Sequence, residues 1–450
     1  MILKKLAIGR YWHLNLLVKV KKNVAIIGSG ISGLSAAYLL SDKYNVHLYE
    51  KNSRLGGHTR TLFVQDNSKK IPIDTGFIVF NEKNYPDLTN FFKLLNVDYQ
   101  DSDMSFAVSN NNPFLEYSGK SIFALFSNFK NIISIKFLKM IFEIRKLYKL
   151  CNQLELNEKN SKLTLDQFLN SNNFSDYLKN YHILPMISSI WSSNIDDVKS
   201  FPLATFINFF KNHSLFSFRN RPQWKYVLGG SNQYIKKIIN LKLFKYYTNS
   251  EISKISRDNN LIKIFNKNNT SYSYDILVFA THADQILNLL DKPSANESKI
   301  ISNFKYSSNL AYLHCDDTLM PKYKNTWSSW NFLSNINKKT FTLTYWMNVL
   351  QNLPTNKNYF VTINPNKKPS NIIDQTVFEH PIYSIKSIEA QKKLMSIQGD
   401  NNTYYCGSYL GYGFHEDGIQ SSVYVSKLLN SNVPWKREKN FYNRLQLYSK

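Results

Sequence analysis

The chain of 450 residues is 43% hydrophobic and 15% aromatic, which is enough apolar side chain for a large core and two or three domains and excludes a disordered protein. Its formal charge of +24 comes from Lys scattered among Asn in loops, with no Arg-rich face and no zinc-finger or basic-zipper pattern; that sets nucleic acid aside as a partner and leaves an anionic membrane surface or an acidic substrate open. Three cysteines, Cys151, Cys315 and Cys406, without a C-x-x-C pair point to a reducing compartment, the cytoplasm, and nine histidines without H-x-x-x-H spacing predict no metal site.

Residues 1–22 carry six Lys/Arg and no acid, with apolar pieces too short for a secretory core, so they are expected to form a flexible leader. The chain has no run of 18 apolar residues and hence no predicted membrane-crossing helix. From Asn23 the pattern sharpens. Val24-Ala25-Ile26-Ile27 suits a parallel strand buried on both faces, and Gly28, Gly30 and Gly33 follow at the spacing G-x-G-x-x-G where strand turns into helix. Gly28 would permit the tight turn, Gly30 the approach of a pyrophosphate to the main chain, and Gly33 the close seating of helix on strand. The helix N-terminus would face phosphate with free N–H groups. Glu50 closes the next strand, Val46-His47-Leu48-Tyr49, where a carboxylate can accept hydrogen bonds from ribose hydroxyls. In this order the pieces predict a dinucleotide site and not a bare glycine turn.

Directly behind, Arg54, Gly56 and Gly57 would put a cation and main-chain N–H donors on the phosphates of the same ligand. A nicotinamide dehydrogenase does not need this second loop; a longer ligand that passes deeper into the protein does. Residues 71–80 read as a strand and a bend at Gly76, for which an ordinary hairpin turn is the alternative. Between 85 and 224 the character changes: 88–95, 122–150 and 163–181 have apolar residues at helical spacing, with Asp166 and Ser175 placed to cap helix starts. One face of 123–142 is expected to pack in the core or to touch a membrane or apolar ligand.

A helix is then predicted over 233–241, followed by a hairpin of 251–255 and 261–265 joined at 258–260. Residues 274–280, apolar throughout from Ile276, read as a second buried strand, with a helix beginning at 281–284. Because the nucleotide-domain pattern resumes here, the helical stretch is an insertion. Residues 301–390 carry strands dense in aromatics, and 404–422 repeat strand, glycine loop and helix start.

With these pieces in order, the chain resembles the flavin-containing amine oxidase and phytoene desaturase superfamily, and most of all its bacterial branch of NAD/FAD-binding oxidoreductases. The resemblance rests on Ile73-Asp74-Thr75-Gly76-Phe77-Ile78-Val79-Phe80-Asn81, Arg221-Pro222-Gln223-Trp224, Ala280-Thr281-His282-Ala283-Asp284-Gln285, Thr344-Tyr345-Trp346-Met347-Asn348 and Gly411-Tyr412-Gly413-Phe414-His415-Glu416-Asp417-Gly418. It implies an α/β fold: a Rossmann-like FAD-binding domain, with a parallel sheet and a β-hairpin or meander, and an inserted α+β substrate domain. The implied segments are a leader at 1–22, FAD-binding parts at 23–84, 225–300 and 391–450, a helical insertion at 85–224 and a substrate-domain sheet at 301–390.

The resemblance also implies FAD and its contacts. Gly28, Ser29, Gly30, Ile31, Ser32 and Gly33 would line the pyrophosphate and Glu50 the adenosine ribose; Lys51, Arg54, Gly56, Gly57 and His58 would meet phosphates and the near side of the ring. Thr75 and Gly76 at the bend, Ile252 against adenine, and Ala280 and Thr281 over the dinucleotide join them. Gly407 would pass the ribityl chain, and Gly418-Ile419 would start a helix aimed at flavin N1, with Glu416-Asp417 read as helix capping. Departures count as well: Ser408 stands where relatives often carry glutamate, Cys406 reads as a core thiol, and no lysine holds a water near flavin N5, Lys305 falling several residues early.

The expected function is an FAD-dependent oxidoreductase that accepts a hydride at N5 from a substrate C–H, the substrate being an apolar lipid-like compound or an amine. Trp330, Tyr345 and Trp346 are substrate-side candidates, with ordinary sheet core as the alternative, and His58 and His380 are candidate proton carriers. A flavin-dependent isomerase, or a membrane-associated flavin protein without turnover that serves a partner, stands as the rival reading. Peripheral contact with the inner face of a membrane fits the basic surface.

Overall fold

The computed structural model describes residues 21–192, 195–218, 220–258, 261–335, 340–437 and 441–445. Apart from 21 and 22, the expected leader lies outside the described residues, as do 259 and 260 of the hairpin turn. Asn23–Ile27 is the middle strand of a five-stranded parallel sheet, ordered Lys245–Tyr247, Asn45–Tyr49, Asn23–Ile27, Ile276–Phe279, Thr403–Tyr405. Its unbroken apolar run serves two cores at once. Val24 and Ile26 pack beneath the helices Ile31–Leu40 and His415–Leu428, while Ala25 and Ile27 pack beneath an antiparallel meander of Ile252–Asp258, Leu261–Asn266 and Ser271–Tyr274.

A second, seven-stranded sheet runs Ile372–Ile382, Lys305–His314, Phe360–Ile363, Thr340–Trp346, Trp330–Asn335, Phe106–Asn111, Phe114–Ser118. It is antiparallel except where Trp330–Asn335 runs parallel to Phe106–Asn111. The last two strands come from the stretch read as helical. They escape a period-two reading because Glu116 points inward, buried and accepting hydrogen bonds from Ser109 Oγ (2.8 Å), Lys322 N (2.7 Å) and Tyr323 N (3.0 Å). A mixed α/β architecture with a parallel sheet, a meander and a large mixed sheet is the fold class the sequence predicts.

Helices cover one end of the large sheet. The helical spacing over 122–150 is real but broken into Ile122–Leu125, Lys130–Ile133 and Ile135–Gln153. Ser121 and Ser134 restart the chain as caps, their hydroxyls accepting from Ala124 N (3.1 Å) and Phe137 N (3.3 Å). Ser175 caps Asp176–Leu178 as expected, whereas Asp166 sits in the first turn of Leu165–Ser171, whose cap is Thr164 in a reciprocal pair with Gln167. The helix expected over 233–241 is Asn232–Asn240, its start fixed by buried Asp74, which accepts from Ser231 N (2.9 Å), Ser231 Oγ (2.7 Å) and Gln351 Nε2 (2.8 Å).

Candidate active site

At the C-terminal edge of the parallel sheet, Gly28 turns the chain at φ +101° and its N–H donates to Tyr49 O (2.8 Å). A methyl group at Gly33 would come within 1.9 Å of Gly28 O, so the helix Ile31–Leu40 can lie this close only with glycine there. Gly30 differs: a methyl group at this position would meet nothing within 4 Å. The helix N-terminus therefore opens on free space, the shape and polarity that a pyrophosphate fits. Beside it Glu50 is buried at its strand end, Oε2 accepting from Ser29 N (3.2 Å) and Ser29 Oγ (2.6 Å), Oε1 from Asn52 N (2.9 Å) and Asn52 Nδ2 (2.8 Å).

The second glycine loop touches the first, Gly56 N donating to Ser29 O (3.0 Å). Arg54 is not a free phosphate charge: Nη1 donates to Thr59 O (3.0 Å) and Nη2 to Gly57 O (2.9 Å), so the guanidinium braces its own loop. Lys51 is exposed, with its charge in reach of Glu379. Ala280 N donates to Ile27 O (2.8 Å), which brings Ala280 and Thr281 against the Gly28 turn, and Ser250 N donates to Glu50 O (2.9 Å), which starts the strand of Ile252 beside the acid. Thr75 N donates to Arg60 O (2.9 Å) and Phe77 N to His58 O (2.9 Å), so the bend at Gly76 is pressed onto His58.

From the far end of the chain, Cys406 N donates to Phe279 O (2.9 Å) and Gly407 N to Ser421 Oγ (2.9 Å). The Cys406 thiol is buried core, pushed up by loss of solvent. Gly418 lies against Ile31 and Ser32, where a methyl group would sit 2.7 Å from Ile31 Cγ2. Gly418 and Ile419 do not start the helix, contrary to expectation. It begins at His415, and the Gly418 N–H already donates to Phe414 O (3.1 Å), so glycine here serves the crossing of the two helices. Asp417 caps its own helix by accepting from Phe414 N (2.8 Å), and Glu416 caps another, accepting from Asp87 N (3.1 Å) and Leu88 N (2.9 Å) at the start of Pro86–Leu94.

Rings gather where these segments meet the large sheet. His58 has its centroid 5.2 Å from Phe378, 5.4 Å from His380 and 5.7 Å from His282, and its Nε2 is buried without a hydrogen-bond partner. His282 stacks on Tyr306 at 4.6 Å and lies 3.2 Å from Glu379 Oε2 through Nδ1. His415 stacks on Phe77 at 3.7 Å, with Nε2 3.0 Å from Thr59 Oγ1. Burial pushes His380 down to about 4 and His415 to about 3, and it holds His58 well below the ordinary histidine value. Burial thus favours the neutral form of all three rings, His58 and His380 among them. His282 and His415 were not singled out from the sequence, although both stand inside distinctive blocks.

Register places the aromatic candidates. Tyr345, Val361, Leu313 and Asp374 pair in line across the sheet, and Phe378 and His380 follow Asp374 on the same face at even spacing. Trp330 joins them, its ring edge-on to Tyr345 at 4.7 Å and its buried Nε1 without a partner. Trp346 points to the opposite face, donating Nε1 to Asn358 Oδ1 (3.0 Å) and packing on Trp327, so it leaves the candidate wall. Lys305 is exposed at the start of its strand.

The family model of flavin containing amine oxidoreductases matches residues 31–348. A hydroxysqualene dehydroxylase of Sinorhizobium fredii is 50% identical over 56 residues, which is 12% of this chain and 13% of that protein. Among solved structures, a fatty acid isomerase from P. acnes aligns over 91% of this chain and 98% of its own, at 13% identity and a TM-score of 0.65. Cyclohexylamine oxidase from Brevibacterium oxydans aligns over 91% and 100%, at 14% identity and a TM-score of 0.65. A protein described as a protoporphyrinogen oxidase, from Exiguobacterium sp., aligns over 91% and 98%, at 13% identity and a TM-score of 0.64. These three likenesses are of fold. On the family match, which spans most of its length, the chain belongs to the flavin containing amine oxidoreductases and is an FAD-dependent oxidoreductase.

Proposed function

We propose that this enzyme oxidises an apolar, lipid-like substrate, a hydride leaving one C–H bond for flavin N5 and a proton leaving the neighbouring carbon for solvent, so that a C=C bond forms. The observation that carries the reading is the sheet face shared by Trp330, Tyr345, Phe378 and His380, a run of aromatic and neutral side chains whose Phe378 and His380 end lies against His58 of the second glycine loop. Gly28 to Gly33 would hold the pyrophosphate, Glu50 the ribose, Gly57 further phosphate oxygens, and Ile252, Ala280, Thr281 and Gly407 the rest of the dinucleotide, while Gly56, whose N–H is taken by Ser29 O, ties the two glycine loops together. When bound, FAD supplies the two-electron acceptor. The protein's own part is to exclude water and to fix the substrate's reacting carbon, which Trp330 and Tyr345 suit by size and burial. His58 Nε2, buried and unpartnered, would be free to hydrogen-bond a ligand brought against this loop.

Amine oxidation is less well supported, because Lys305 stands exposed at the start of its strand. The short match to a relative named hydroxysqualene dehydroxylase leans the same way, toward a lipid-like substrate. Anaerobic mixing of the FAD-loaded enzyme with acyl or isoprenoid lipids should bleach the flavin, and with simple amines should not. Bleaching by amines alone would overturn the substrate assignment, and turnover of a lipid without bleaching would mark an isomerisation.

A further inference from the structure

Among the described residues, the six most exposed large apolar side chains all fall between 122 and 142: Ile122, Phe123, Phe129, Ile133, Ile135 and Phe142, with Phe123 88% and Ile135 82% exposed. Scattered surface apolars are ordinary; a cluster like this marks a contact surface. It lies on Ile122–Leu125, Lys130–Ile133 and the first half of Ile135–Gln153. The long helix carries two apolar stripes. Phe137, Met140, Ile144, Leu147 and Cys151 face the core, while Ile135, Leu138 and Phe142 recur at helical spacing on the side turned to solvent. A shallow groove of about 540 Å³ runs along that outer stripe between Lys139 and Lys146.

The charge around the patch has one sign. Residues 117–154 contain seven Lys/Arg, all exposed, and one acid. That acid, Glu143, is buried, where it accepts from Ser175 N (3.2 Å) and Ser175 Oγ. Exposed Phe and Ile ringed by cations match a surface that is apolar a few ångströms down and anionic at its rim. A second copy of this face would oppose cation to cation on a chain of +24.

We propose that the face built by residues 120–149 docks on an anionic lipid membrane, with Phe123, Phe129, Ile133, Ile135 and Phe142 inserted below the headgroups and the surrounding lysines on them. The inference rests on this surface alone and stands whatever the substrate is. The test is flotation of the full-length, FAD-loaded protein with vesicles of phosphatidylcholine alone and of phosphatidylcholine mixed equally with phosphatidylglycerol. The wild type should float with the mixed vesicles, less so as salt rises, and not with phosphatidylcholine. A Phe123→Asp, Ile133→Asp, Phe142→Asp variant should lose at least about tenfold in vesicle binding with flavin spectrum and unfolding temperature unchanged. A Lys130→Glu, Lys136→Glu, Lys139→Glu variant should lose the preference for phosphatidylglycerol. The proposal is overturned if the wild type stays unbound at low salt, or if the apolar variant binds as the wild type does. It is equally overturned if the wild type is a dimer without lipid that the apolar variant splits into monomers, since the face then belongs to a second copy.

Discussion

Glu50 meets four donors from Ser29 and Asn52 at a strand end, so its carboxylate is fixed before any ligand arrives. Removing it in Glu50→Ala deletes a charged hydrogen-bond partner, and FAD affinity is expected to fall about 10- to 100-fold by fluorescence titration; an unchanged affinity would remove Glu50 from the site. The buried histidines set a pH dependence. His415, held at about 3 against an ordinary 6.5, binds its proton more readily in the unfolded chain, so its share of stability is complete above 6.5 and lost as pH falls toward 3. Between about pH 7 and about pH 5 this amounts to roughly 2 kcal/mol, and His415→Gln should flatten the acid limb of a denaturation series by that much. Equal slopes for the two proteins would contradict it. Places written in local spacing, the turn at Gly28, the helix seat at Gly33 and the strand end at Glu50, were legible in the sequence. His282 and His415 were not, because their neighbours come from strands far apart in the chain.

Helix ends carry the next level of organisation. Arg444 threads back from the C-terminus to the start of the helix His415–Leu428, with Nη1 3.6 Å from Asp417 Oδ2, Nη2 donating to Asn84 O (2.5 Å) and the guanidinium 4.6 Å from the Tyr85 ring. Arg444 and Asp417 are both buried, so Arg444→Met leaves a carboxylate without its counter-charge and should cost about 3 to 5 kcal/mol in chemical denaturation. A loss below about 1 kcal/mol would show that the tail does not support this helix. Glu416, crowded by burial and by Asp87, is pushed above the usual glutamate range while it caps Pro86–Leu94. That capping is tertiary: the acid and the helix it serves lie far apart in sequence, so Glu416-Asp417 could be read only as a local cap. The breaks in 122–150 are local and were signalled by Ser121 and Ser134, but an apolar period running through them masked the restarts. The same stretch shows two apolar stripes where one was expected, which is why its outer face stood open in the sequence between core and membrane.

Across the whole molecule, stretches near Gly28, Ala280 and Gly407 become adjacent because their strands are neighbours in one parallel sheet, and Gly418 rests on the helix that follows the first. Order of blocks along the chain was enough to anticipate this, since each block repeats strand, turn and helix. The pairing of Phe106–Asn111 with Trp330–Asn335, and the face on which each aromatic of the large sheet lands, depend on register between distant strands and were not legible. The convergence makes a demand at one atom position, the empty space over Gly30. Gly30 has φ −64° and ψ −176°, which alanine adopts freely, and a methyl group there touches no protein atom within 4 Å. The decisive measurement is therefore FAD titration of the apo wild type and of Gly30→Ala, with thermal unfolding of both apo proteins alongside. The apo stabilities should agree within about 0.5 kcal/mol. FAD at about 100 times its dissociation constant should stabilise the wild type by about 2.7 kcal/mol and leave the variant nearly unmoved. Equal FAD binding by the two proteins would contradict the account, for the dinucleotide would then lie somewhere other than over this helix N-terminus.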